Sequence, residues 1–136
     1  AGELSPGLRV LVVEDNVDAA NSLSQLLQRV GCTTQVANDG SSAVATAREF
    51  RPDVVLLDIG LPGIDGYGVA RQLCQTPELG AMRLIAISGY GQEQDRERSR
   101  QAGFDHHLVK PVSFKAILPL LIACQPAPEK FEPKPS

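Results

Sequence analysis

Val54, Val55, Leu56 and Leu57 run without a polar break and end on a carboxylate, Asp58. An uninterrupted run of β-branched residues and Leu reads as a strand buried on both faces, the habit of a parallel sheet rather than of an exposed edge. Parallel strands in turn require crossover connections, normally helices that cover both faces of the sheet. Asp58 then stands at the carboxyl end of the strand, where open α/β sheets place their ligand sites. Gly60, Gly63 and Gly66 follow it and let the backbone come close to a ligand. Asp58 is thereby read as a nucleophile that the other informative residues serve.

The rest of the chain supplies the alternation this requires. Residues 9–13 form a first strand ending on Glu14, Asp15 and Asn16. Val17, Ala20, Leu23, Leu27 and Val30 recur at three and four, the inner stripe of a helix stopped by Gly31. Residues 33–37 give a short second strand. Asn38, Asp39, Gly40 and Ser41 make a turn and cap before a helix marked by Ala43, Val44, Ala47 and Phe50. After the glycine loop, Val69, Ala70, Leu73 and Cys74 predict a third helix, and residues 84–87 a fourth strand ending on Ser88. Residues 92–101 are polar or charged at every position, which predicts a loosely docked, mobile helix. Residues 106–109 form a fifth strand ending on Lys110 and Pro111. Phe114, Ile117, Leu118 and Leu121 then stripe a last helix, which Pro119 should kink or restart at a cost of about 3 kcal/mol otherwise. Residues 1–7 read as a leader or linker, 8–124 as one domain, and the Pro- and charge-rich 125–136 as a flexible tail.

Five strands alternating with helices imply a parallel sheet with right-handed crossovers. Its strands share one direction, so Glu14, Asp15, Asp58, Ser88 and Lys110 gather at one edge. Carboxylates crowded there repel and are pushed toward the protonated form unless a cation joins them. An oxygen-only ligand set suits a hard ion, and Mg²⁺ held by one or two carboxylates plus waters fits best. A metal, an ammonium and a hydroxyl beside a carboxylate are the parts phosphoryl transfer uses, with the carboxylate as acceptor.

As a set, Glu14-Asp15-Asn16 after two valines, Asp58 with Pro62 and Gly63, Ser88 and Lys110-Pro111 carry a resemblance. Over about residues 8–124 the chain resembles the receiver domain of bacterial two-component response regulators. The resemblance implies a flavodoxin-like (βα)5 fold with strand order 2-1-3-4-5. It implies that Asp58 takes a phosphoryl group from a histidine kinase or histidine phosphotransfer protein. It also implies that Asp15, Asp58 and the Gly60 carbonyl hold Mg²⁺, with Glu14 acting through water. Lys110 would pair with the phosphoryl oxygens, Ser88 would move to hydrogen-bond them, and the bond before Pro111 would be cis. Gly60 and Tyr90 occupy positions that tune the phosphoryl lifetime. His107 stands where the family usually carries Tyr or Phe as the switch partner of Ser88. The face expected to switch comprises residues 92–101, the fifth strand and the last helix. The runs around Asp58 and Lys110 look most like receivers of hybrid histidine kinases.

Two other readings compete. A haloacid-dehalogenase-like, Mg²⁺-dependent phosphatase also uses a strand-end Asp, but needs a second acid two residues later, where Gly60 stands. A nucleotide- or flavin-binding domain would need a glycine fingerprint after the first strand, and none is present. The formal charge of -3 argues against direct nucleic-acid binding. No run approaches the roughly 20 apolar residues of a membrane span. Cys32, Cys74 and Cys124 form an odd, widely spaced set, read as packing residues in a reduced cytoplasm. Monomer and weak dimer are both compatible with the pattern.

Overall fold

The computed structural model describes residues 4, 6–59, 66–80, 82–89, 100–110 and 112–125. Five strands, β1 (Arg9–Val13), β2 (Thr33–Ala37), β3 (Val54–Asp58), β4 (Arg83–Ser88) and β5 (His106–Val109), pair in parallel in the order β2-β1-β3-β4-β5. The expected order is the observed one. β3 lies at the centre with all five residues buried, as its unbroken apolar run demands.

Alternation along the strands divides the core into two layers. Leu11, Val13, Val55, Leu57, Leu84 and Ala86 face helices α2 (Gly40–Phe50) and α3 (Gly66–Cys74), meeting Ala43, Ala47, Val69, Ala70 and Leu73. Val10, Val12, Val54, Leu56, Ile85 and Ile87 face α1 (Val17–Arg29) and the last helix, α4 (Phe114–Cys124), meeting Ala20, Leu27, Ile117 and Leu121. The core is mostly aliphatic, with Tyr67 and Phe104 the buried aromatics among the described residues, both in the α2/α3 layer, as a chain with four Phe, two Tyr and no Trp requires.

Several helical expectations need correction. Val17 and Val30, read as inner-stripe residues of α1, are 54% and 37% exposed, because the end turns overhang the sheet. Cys74 lies exposed at the end of α3, while Cys32 and Cys124 are buried as expected. α4 runs through Pro119 as one assigned helix, with Ile117 and Leu121 seated in the core on either side of it. A short 3-10 turn at Pro77–Leu79, unanticipated in the sequence, buries Leu79 beneath α3. The polar helix expected over residues 92–101 falls outside the described residues except for Arg100 and Gln101. Among the described residues, no helix is long and apolar enough to cross a membrane.

Candidate functional site

Register brings the site together. Val13 pairs with Leu57, so Glu14, one residue on, comes level with Asp58. Asp58 pairs with Ile87 and Ser88 with Val109, which sets Ser88 and Lys110 at the same edge. Ile59 N–H donates to the Ile87 carbonyl at 2.8 Å, and Lys110 N–H to the Ser88 carbonyl at 2.8 Å. These bonds carry the ladder past the last strand residues and fix the backbone at both functional positions.

Three charged side chains share the cleft. Asp58 is 1% exposed, and the Lys110 ammonium pairs with its Oδ2. The same ammonium stands 3.9 Å from Glu14 Oε1. Burial pushes the Glu14 carboxyl above its ordinary range; a hydrogen bond from the Asn16 N–H pulls it back, and the charge of Asp58 raises it again. At effective dielectrics near 20, two carboxylates about 4 Å apart repel by roughly 4 kcal/mol. One ammonium against two carboxylates leaves the cleft net negative. A phosphoryl group would meet repulsion there unless a cation entered.

Two asparagines hold Glu14. Its carbonyl accepts from Asn38 Nδ2 at 2.8 Å, and its Oε2 accepts from Asn16 N–H at 3.1 Å. Asn16 also caps α1, its Oδ1 accepting from Ala19 N–H at 2.9 Å. Sequence reasoning placed Asn38 in a turn and missed this role. A side-chain amide directly after the neighbouring strand was the available signal.

Ser88 is fully buried, and its Oγ lies 2.7 Å from His107 Nε2. Alternation sets Ser88 and His107 on the α2/α3 side with Ala86, whereas Glu14, Asp58 and Lys110 fall on the α1/α4 side. The site residues thus form two groups: an acid–lysine cluster and a hydroxyl–imidazole pair. Gly60, Tyr90 and Pro111 lie outside the described residues. Among the described residues, no three His, Cys, Asp or Glu side chains converge on one point, so Asp15 does not join Glu14 and Asp58 in a three-acid cluster. Two carboxylates side by side still match the oxygen donors that Mg²⁺ takes, with waters completing its coordination.

A doubly wound parallel sheet carrying a buried acid and a lysine at its carboxyl edge defines the class: a flavodoxin-like domain built for phosphoryl chemistry. The family model for the response regulator receiver domain matches residues 10–121. The chain is 34% identical over 110 residues to protein PilH of Pseudomonas aeruginosa, covering 81% of this chain and 91% of PilH. It is 36% identical over 104 residues to the polar-differentiation response regulator DivK of Brucella anthropi, covering 76% and 85% of the two chains. A CheY-like receiver domain from Methylobacillus flagellatus superposes with a TM-score of 0.78 at 26% identity, over 89% of this chain and all of that one. The receiver domain of sensor histidine kinase PA1611 from Pseudomonas aeruginosa superposes with a TM-score of 0.73 at 31% identity, over 86% and 98%; its structure holds a magnesium ion in the active-site cleft. The chain belongs to the response regulator receiver domain family. It is a phosphoacceptor signalling domain of two-component systems, a class that works with histidine kinases or phosphotransfer proteins. Nothing in these likenesses supports the phosphatase alternative.

Proposed function

We propose that Asp58 is the phosphoacceptor, and the observation that carries this is its burial at the end of β3 with Lys110 on one oxygen and Glu14 alongside. In the transfer the P–N bond of a donor phosphohistidine breaks, a P–O bond to an Asp58 carboxylate oxygen forms, and the donor imidazole leaves with the electron pair. Lys110 neutralises the phosphoryl oxygens, and Ser88 donates its hydroxyl proton to one of them. Asp58, Asp15 and the Gly60 carbonyl would hold Mg²⁺, with Glu14 acting through water. The bound ion would supply the positive charge the cleft lacks.

Donor access follows from the surface beside the site. A groove of about 750 Å³ opens along α1, with Ala19, Leu23, Leu26 and Val112 on its walls and Glu14 and Lys110 at its end. It is mostly apolar and continuous with the acid–lysine cluster, so a donor protein seated there by apolar side chains presents its phosphohistidine to Asp58. The face that answers comprises residues 92–101, β5 and α4. The likeness to the PA1611 receiver, with the runs around Asp58 and Lys110, supports descent from a hybrid histidine kinase of which residues 8–124 are the receiver. Its compartment is then the cytoplasm, consistent with three free thiols.

Acetyl phosphate with Mg²⁺ should attach one phosphoryl group that hydroxylamine removes, and Asp58→Asn should remain unlabelled. Equal labelling of Asp58→Asn would overturn the assignment, and steady turnover of small phosphate monoesters would favour a phosphatase instead.

A further inference from the structure

The bond from Asn38 to the Glu14 carbonyl carries an inference that deepens the proposed function and rests on its reading of the cation site. β1 and β2 run in register as far as Val13 and Ala37, and Glu14 N–H still donates to the Ala37 carbonyl at 3.0 Å. The next rung of a parallel ladder would bring the amide two residues beyond Ala37 to the Glu14 carbonyl. That residue is Asp39, and it serves α2 instead, as the N-cap whose side chain accepts from Ser42 N–H at 2.8 Å. Asn38 supplies the rung with its side chain, Nδ2 donating to the Glu14 carbonyl at 2.8 Å.

The peptide held in this way joins Glu14 to Asp15. Its six atoms from Cα to Cα share one plane, so a bond to its oxygen orients the start of both residues. The far end of Glu14 is held as well, since Oε2 accepts from Asn16 N–H at 3.1 Å. We propose that Asn38 is a positioning residue for the cation. Through the Glu14–Asp15 peptide it sets where the acids after β1 stand against Asp58, and so how tightly Mg²⁺ binds. Mg²⁺ demands near-ideal octahedral geometry, so a small shift of its acids costs affinity. The weight of one neutral hydrogen bond corresponds to roughly 2- to 10-fold in that affinity.

The test titrates Mg²⁺ into the whole chain without a phosphodonor and follows the backbone amide shifts of Asp58 and Lys110. Asn38→Leu, which keeps bulk and removes the donor, should raise the Mg²⁺ concentration at half-saturation about 2- to 10-fold. Asn38→Ala should show the same rise, and it replaces Asn38→Leu if that variant does not fold. Acetyl phosphate labelling should shift equally in its Mg²⁺ dependence and regain the parent rate at saturating Mg²⁺. Ala47→Gly, buried in α2 towards its far end, controls for stability: it should lower the urea midpoint and leave half-saturation unchanged. An unchanged half-saturation without the Asn38 amide would overturn the proposal. An equal rise in Ala47→Gly would do so too, because any loosening of α2 would then suffice. Asp15→Asn separates the proposal from the reading beneath it, and should weaken Mg²⁺ more than Asn38→Leu does. If Asp15→Asn bound Mg²⁺ like the parent, the reading of the cation site would fall and the proposal with it. If it bound weakly while Asn38→Leu matched the parent, the role of Asn38 alone would fall.

Discussion

At the scale of single residues, Gly66 shows how tightly the surroundings of Asp58 are set. A Cβ placed there would lie 2.4 Å from Ile59 Cγ2 and 2.9 Å from Ile59 Cα. The second contact is with backbone, so a rotamer change cannot relieve it. Ile59 follows Asp58 directly, and its amide bonds to Ile87, so displacing it pulls on the acceptor strand. Gly66→Ala is expected to cost about 1–3 kcal/mol, the usual range for overpacking, and to slow labelling at Asp58. A lower urea midpoint with an unchanged slope would show this; a midpoint equal to the parent's would show that α3 gives way. The sequence pointed to a glycine here but to the wrong reason. Three glycines after a strand-end acid suggested close approach to a ligand, whereas at Gly66 the close approach is of helix to strand. Asp58 itself was legible because an unbroken apolar run admits few endings, and Asn38 was not, because turn asparagines are common for local reasons.

At the scale of elements, capping decides where helices start, and the sequence revealed one such cap, at residues 38–41, ahead of α2. Asn16, Asp39 and Ser113 each accept a hydrogen bond from the amide three residues on. At Asp39 the Ser42 amide bond holds the carboxyl below its ordinary value of 3.8. A depressed folded-state value means the charge stabilises the fold above the unfolded value, and this is lost as pH falls through the folded one. Asp39→Asn, which still accepts from Ser42 but does not ionise, should therefore be less stable than the parent near neutral pH and match it in strong acid. Urea midpoints across that range check this, and a gap persisting in acid would show that charge is not its source. β1, β3 and β4 were legible because apolar runs with no polar break have one packing solution. β2 (Thr33–Ala37) and β5 (His106–Val109) carry polar residues and were legible from the strand–helix alternation. Helix ends were less so: periodicity extends a stripe to Val17 and Val30, but burial depends on how far the sheet reaches beneath the first and last turns. The turn at Pro77–Leu79 follows no period at all.

At the scale of the whole molecule, the sheet separates two tasks. The acid–lysine cluster opens on the α1/α4 side, where the apolar groove lies, and the hydroxyl–imidazole pair lies on the α2/α3 side. Under the proposed function a donor would be admitted on the α1/α4 side, with Ser88 on the other. This division was not legible from spacing, because it needs the phase of every strand end and the exposure of α1 together. Leu26 is 41% exposed and lines the groove on α1, so its substitution tests donor docking separately from small-molecule labelling. Leu26→Glu introduces a charge that a docked apolar side chain must desolvate, a cost of order 1–3 kcal/mol, or about 5- to 150-fold. It should slow transfer from a phosphorylated histidine phosphotransfer protein by that factor, and by far more than it slows labelling with acetyl phosphate, which needs no groove. Rapid-quench transfer from the labelled donor, set against acetyl phosphate labelling of the same preparation, measures the ratio. Equal slowing of both reactions would place the effect in the fold of α1, and no slowing of either would remove the groove from donor docking.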